Sequence, residues 1–268
     1  MCLVLALFGF IGFGGAPWLP LGTEEGFNFR ATNLLVGAWF LLFSIPLFLY
    51  VPDTKGSGSG VDLKGAWGEL KNTLRQITEY REVVKFLLAR LVFNDGLVTI
   101  FAFASIYAMG TFAMTLSEVL VLGIAINLTA GVGAWAFGFF DDRVGARTTI
   151  LVSLVGLSVG TVTAVVAPDR AWLWVGAILV GIFAGPNQSA SRSLMGRFVP
   201  QRHQSEFFGF FAFSGKATAF LGPLLLGILT HAYGLRVGVS TVLIFFIVGG
   251  LLLLTVNEQK GIEAATAD

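Results

Sequence analysis

The chain has 268 residues, of which 55% are hydrophobic and only 12% charged, and its mean hydropathy is +0.81. A soluble fold carries about 25% charged residues, so this composition cannot coat a water-soluble domain and the fold class is an all-α polytopic membrane protein. A net charge of +1 gives no footing for nucleic acid, and the single cysteine, Cys2, excludes an internal disulfide framework and a cysteine-based zinc site.

In chain order, residues 1–22 are uncharged and apolar, interrupted by Gly12, Gly14, Gly15, Pro17 and Pro20. No Lys or Arg precedes Arg30, so the run lacks the basic start of a signal peptide and reads as the end of a transmembrane helix leading into an outside loop. A second span covers residues 31–51 and stops at Pro52. The stretch Lys55-Gly-Ser-Gly-Ser-Gly60 has the composition of a flexible linker. Beyond it Leu63, Trp67, Leu70, Leu74 and Ile77 recur at three- and four-residue steps, with Lys64, Lys71, Arg75 and Arg81 between them. That pattern predicts an amphipathic helix whose basic face suits an anionic membrane surface. Six further spans are expected at 84–109, 117–137, 148–167, 171–190, 207–230 and 236–256, each near the roughly 20 residues a crossing needs. The organisation expected is a remnant bundle (1–51), a linker with its amphipathic helix (52–83), a six-helix half (84–256) and a tail (257–268).

The connectors alternate in charge. Those at 55–90, 141–147 and 192–202, with the tail, hold thirteen Lys and Arg; the opposite set holds Arg30, Arg170 and Arg236. The positive-inside rule therefore expects the linker and the C-terminus in the cytoplasm.

Between the spans at 117–137 and 148–167 lies Gly138-Phe-Phe-Asp-Asp-Arg-Val-Gly-Ala-Arg147. Gly138 would let two helix backbones approach. Asp142 and Arg143 suit capping and cross-linking of helix ends, Gly145 tolerates a positive φ, and Arg147 adds a charge on the water side. An ordinary charged hairpin has the same ingredients. The pattern Gly-x-x-x-Asp-Arg-x-Gly-x-Arg also resembles the cytoplasmic loop signature of the major facilitator superfamily, where it joins the second and third helices of a six-helix half. Within that superfamily the chain resembles the vacuole-effluxer-like branch. The residues that carry this are Phe86-Leu-Leu-Ala-Arg-Leu-Val-Phe-Asn-Asp-Gly96, Gly185-Pro-Asn-Gln-Ser-Ala-Ser-Arg-Ser193, and Glu206-Phe-Phe-Gly209 with Ser214-Gly-Lys-Ala-Thr-Ala-Phe-Leu-Gly-Pro223.

The resemblance implies the later part of a twelve-helix secondary transporter, from the end of the fifth helix onward, with solute bound between two six-helix halves. Fungal members of the branch are associated with amino-acid export from the vacuole. It implies a small polar solute, amino acids among the candidates, and a bacterial cytoplasmic membrane as the setting. Membrane lipid and protons are the other expected partners, with no cofactor. A second copy or a missing N-terminal half would complete the transporter. The alternative is a truncated facilitator acting as a non-transporting subunit or an inactive fragment.

Ionisable groups at bilayer depth are costly and usually face a cavity or a partner. Asp95 and Lys216 lie about ten residues into spans that enter from the same side, which at about 1.5 Å per residue sets them at similar depth. They are expected to face each other or a shared cavity, with Asp95 either carrying protons or forming a static pair with Lys216. Asn94, Asn187 and Gln188 are candidate solute contacts, whereas Asn127 reads as interhelical glue. Gly185-Pro186 and Gly222-Pro223 interrupt the helical hydrogen-bond ladder, as hinges or as fixed kinks. Arg192, Arg197 and Arg202 read as a basic cytoplasmic loop facing lipid phosphate. Gly209 to Lys216 misses a phosphate-binding loop by one residue of spacing, and Gly131-Val-Gly133-Ala-Trp-Ala136 reads as helix packing rather than a dinucleotide fingerprint. His203 and His231 fall near span ends, and with scattered acids they assemble no catalytic cluster or metal site.

Overall fold

Apolar backbone in a bilayer must close its own hydrogen bonds, and helices do so within one segment. The computed structural model describes residues 27–50, 80–200 and 204–266, and all of its regular structure among them is helical. The chain divides into two units, residues 1–65 and 66–268. The apolar run at 1–22, the Gly-Ser linker, the amphipathic segment at 63–77, Arg202 and His203 lie outside the described residues.

In the first unit α1 (Phe27–Tyr50) contains Pro46, and its stretch Arg30–Tyr50 has a mean hydropathy of 1.9. The second unit holds α2 (Arg81–Phe112), α3 (Leu116–Val144), α4 (Ala146–Val166), α5 (Arg170–Phe198), α6 (Gln204–Ser214), α7 (Leu221–Tyr233), α8 (Leu235–Leu254) and α9 (Glu258–Thr266). Six of the described helices, α1 to α5 and α8, are long and apolar enough to cross a membrane. The molecule is an all-α, multi-pass bundle.

Several helices outrun the apolar windows that predicted them, because their ends are polar but capped. Thr115 and Glu118 form a reciprocal capping box at the start of α3. Asp169 accepts from the Trp172 amide at 3.0 Å and starts α5. Arg170 then ties three elements: its guanidinium meets Glu118 at 2.9 Å and donates to the Phe112 and Ala113 carbonyls at 3.0 and 2.8 Å. At the same end of the unit Arg236 donates to the Val165 carbonyl at 3.2 Å. Cations at helix C-termini complement both the free carbonyls and the dipole.

Close packing rests on glycine. A Cβ on Gly133 would overlap the Ile182 carbonyl oxygen, one on Gly185 the Ala130 oxygen, and one on Gly181 the Thr129 hydroxyl. Gly181-x-x-x-Gly185 on α5 is thus a small-residue face pressed on α3. Pro186 cannot donate to Ile182, four residues back, and that carbonyl is the one lying against Gly133. α5 runs through Pro186 as a single helix, so the expected end near residue 190 does not occur. Gly160 and Gly176 bring α4 and α5 together, and Gly96 and Gly249 do the same for α2 and α8. Around these seams sit two apolar clusters, one centred on Phe86, Phe93, Leu154, Leu194 and Phe246, the other on Tyr107, Leu122, Leu173 and Leu226.

Candidate functional site

Residues 207–230, expected as one continuous span, form two helices. α6 stops at Ser214, α7 starts at Leu221, and residues 215–220 are turns. Proline explains the position of the break. The ring of Pro223 displaces the carbonyl of residue 219 from an α-helical ladder, and a helix start, where the first turn has no such bond to lose, is the place that suits a proline best. The chain between turns to tighter three-residue bonds: the Lys216 amide donates to Phe213 at 2.9 Å, Ala219 to Lys216 at 3.2 Å, and Leu221 to Thr218 at 2.8 Å, with one α-type bond from Ala217 to Phe213 at 2.8 Å.

The polar groups that this leaves over are taken by one stripe of α2. Arg90 donates to the Phe211 carbonyl at 2.6 Å and to the Ser214 hydroxyl at 2.9 Å, with its guanidinium 3.6 Å over the Phe211 ring. Asn94 donates to the Gly215 carbonyl at 2.8 Å. Asp95 Oδ2 accepts from the Gly222 amide at 2.9 Å. Thr218 donates back to the Leu91 carbonyl at 3.3 Å. A Cβ on Gly215 would come within 2.8 Å of the Arg90 guanidinium, and one on Gly222 would overlap the Thr99 hydroxyl. Gly222 is therefore needed for this approach, while a side chain at Gly215 would push the Arg90 guanidinium aside. The arrangement has a polarity: a cation and an amide donor at the carbonyl end of α6, a carboxyl at the amide end of α7, as the dipoles of the two half-helices require.

Asp95 is 2% exposed, and its Oδ1 is buried without a partner. The expected pairing with Lys216 does not occur. Asp95 is bonded to Gly222 across the break, whereas exposed Lys216 lines a cavity with Arg90 and Arg192 that Asp95 does not line. Asn94 lies in the clamp. Asn187 is fully buried and donates to the Ser153 hydroxyl at 2.9 Å, which binds α5 to α4. Gln188 is exposed, one helical turn before Arg192. Asn127, expected to bridge helices, is exposed and donates to its own helix at Gly123, at 2.8 Å. His231 is exposed in the last turn of α7.

The charged signature is mostly helix rather than loop. α3 continues to Val144, and Gly145, at φ +89°, makes the whole turn into α4. Gly138 has open space where a neighbour would sit, so no close approach depends on it. Asp142 and Arg143 are exposed, and among the described residues neither forms a cap or a cross-link. Their part falls to Asp141, turned inward at 9% exposure and 3.4 Å from Arg197. It falls also to Glu258 of α9, which accepts from the Ala146 and Arg147 amides at 3.1 and 3.0 Å and meets Arg197 at 3.1 Å. Arg147 caps α8 through the Leu253 and Leu254 carbonyls at 3.3 and 2.8 Å. Arg192 and Arg197 thus belong to α5, not to a loop.

Arg90, Asp141 and Glu258 were not singled out from sequence. The signal for Arg90 was present, since Arg90, Asn94 and Asp95 fall on one face of a helix at steps of four and five. Gly156-Leu-Ser-Val-Gly160 has the spacing of a hydrolase nucleophile elbow, but it lies inside α4, where Ser158 donates to Leu154 at 2.8 Å. The strand-to-turn context that such a nucleophile needs is missing there.

The family model described as "Vacuole effluxer Atg22 like" matches residues 4–266. Among relatives, the uncharacterized MFS-type transporter YxiO of Bacillus subtilis (strain 168) is 27% identical over 233 residues, 86% of this chain and 54% of that protein. Autophagy-related protein 22 of Cryptococcus neoformans var. neoformans serotype D (strain B-3501A) is 28% identical, over 91% of this chain and 49% of that protein. Autophagy-related protein 22 of Eremothecium gossypii is 24% identical, over 91% and 52%. The chain spans about half the length of the curated relatives it matches. With its signature at the α3–α4 turn and its match running across both units, the chain belongs to the vacuole effluxer Atg22-like family.

Proposed function

We propose that this chain works as part of a secondary transporter that moves a small polar solute, amino acids among the candidates, by alternating access. The observation that carries the reading is the broken span, α6 and α7, clamped by Arg90, Asn94 and Asp95 of α2. Transporters build solute and ion sites where discontinuous helices meet inside a bundle, and here the two ends are held in place by side chains of α2. Asp95 is the proposed proton carrier, because its free Oδ1 can accept a proton without disturbing the bond from Gly222 to Oδ2. The end of the second unit that bears α9 is proposed to face the cytoplasm of a bacterial membrane, as the surplus of basic residues there suggests.

The test is uptake by proteoliposomes holding the native product, purified through a C-terminal tag introduced at its own locus. Amino-acid uptake driven by an imposed pH gradient, and lost with Asp95→Asn, is the expected result. Uptake that ignores both the gradient and Asp95→Asn removes the proton role. No uptake of any solute under any gradient favours a non-transporting membrane subunit.

A further inference from the structure

Arg90, Arg192 and Lys216 line one cavity of about 350 Å³, together with Phe208, Phe211, Ala212 and Gly215. No acidic residue is among the described lining residues. Arg90 is engaged at Phe211 and Ser214, but Arg192 and Lys216 are exposed, and neither side chain forms a hydrogen bond or ion pair among the described residues. Three like charges in one pocket repel one another, and in a bilayer setting a charge without a counterion is costly. Lys85, Arg170 and Arg197 of the same unit each meet a carboxylate, whereas this pocket gathers three cations around one space with no acid among its described lining residues. That clustering marks it as a place where the counter-charge comes from outside the chain.

We propose that the cavity binds an anionic oxygen group, the carboxylate of a small organic solute, through Arg192 and Lys216, with Arg90 as its fixed inner wall. A guanidinium offers a planar fork matched to two carboxylate oxygens, and a lysine adds a movable point charge. Phe208 and Ala212 supply an apolar surface for the body of the solute, which inorganic anions would not use. Gln188, one turn from Arg192 on α5, extends the same helix face with a neutral donor and acceptor. The inference deepens the transporter reading and rests on it for the word solute. The same chemistry would also accept the phosphate of an anionic lipid headgroup.

Binding is measured without transport, by calorimetric titration of the intact chain in phosphatidylcholine nanodiscs at low ionic strength. The probes are succinate, leucine, leucinamide and inorganic phosphate. Succinate or leucine should bind saturably and leucinamide should not. Arg192→Gln and Lys216→Gln should each weaken binding by about ten- to a hundredfold, the loss of one charge-assisted contact. Both side chains are exposed, so the variants should keep the elution volume and melting temperature of the parent, which is checked alongside. Replacing part of the phosphatidylcholine with phosphatidylglycerol is the second arm. If the soluble anions fail but phosphatidylglycerol stabilises the parent and not the variants, the anionic group comes from lipid and the site stands. If neither source acts, or if both variants bind like the parent, the proposal is overturned. Binding through Arg192 and Lys216 with no uptake in proteoliposomes would sink the transporter reading and leave the site; uptake unaffected by either variant would do the reverse.

Discussion

The Asp95 carboxyl offers a direct test of whether the break in the span is held from α2. At the start of α7 the Leu221 and Leu224 amides reach the Thr218 and Phe220 carbonyls, and Pro223 has no N–H. The Gly222 amide is the one left over, and its partner is Asp95 Oδ2 at 2.9 Å. Asp95→Leu keeps a branched side chain of comparable reach but removes the acceptor, leaving a buried donor unpaired at a cost of about 2 kcal/mol. For a unit of this size that lowers the melting temperature by about 4–8 °C. Asp95→Asn keeps an acceptor for Gly222 and places its NH₂ where Oδ1 already lacks a partner, so it should cost no more than about 1 kcal/mol. The assay is thermal unfolding in detergent micelles followed by tryptophan fluorescence. The reasoning fails if Asp95→Leu melts with the parent, or if Asn and Leu are equally damaging. The first outcome would mean that α7 needs no cap, the second that the acid itself, rather than an acceptor for the Gly222 amide, is what the site requires.

Gly222→Ala should destabilise by about 1–3 kcal/mol through its overlap with the Thr99 hydroxyl, and much less in a Thr99→Ala background; equal effects in both backgrounds would deny the contact. Gly133→Ala should cost a similar amount, about 1–3 kcal/mol, by driving α3 off the Ile182 carbonyl. Gly138→Ala, with open space around it, should be neutral or stabilising by up to about 1 kcal/mol through helix propensity, and parallel melting curves decide between them. Glu258→Ala should uncap α4 and leave Arg197 with Asp141 alone, at a cost of about 1–2 kcal/mol for the cap. Faster hydrogen exchange at Ala146 and Arg147 reports it, and unchanged exchange there would show that α9 is not the cap.

The membrane class and the long helices were legible because burying an apolar run in lipid needs only length and hydropathy, both of which are local. What was not legible depended on helical phase or on a partner far along the chain. Asp141 and Asp142 are neighbours in sequence, yet a step of about 100° per residue turns one toward Arg197 and the other to solvent. Reading residues 138–147 as a loop discarded that phase, so the wrong carboxylate was chosen. The break at 215–220 was hidden for a different reason. Its residues are apolar enough to pass as span, and Pro223 alone is equally compatible with a kink. Only the stripe Arg90, Asn94 and Asp95, more than a hundred residues earlier, shows that the backbone ends there have partners. Lys216 is legible as unusual but not as part of a basic cavity, since the basic run from Arg192 to Arg202 reads as a loop in sequence.

The order of groups along α2 also bears on how the proposed transport step could draw on a proton. Arg90 meets the carbonyl end of α6, and Asp95 meets the amide end of α7; exchanged, each would face a dipole end of its own sign. The stripe therefore fixes the direction in which the two half-helices must run past α2. Any slide of α7 along α2 that parts Asp95 from Gly222 leaves a buried carboxyl with no donor on either oxygen, because Oδ1 has none already. A bare carboxylate in a low-dielectric interior is far costlier than a neutral acid or a hydrated one. On the proposed transporter reading, movement of the half-helix and protonation of Asp95 are one coupled event, and Asp95→Asn, which is permanently neutral, should release the motion from the proton while leaving the cap in place.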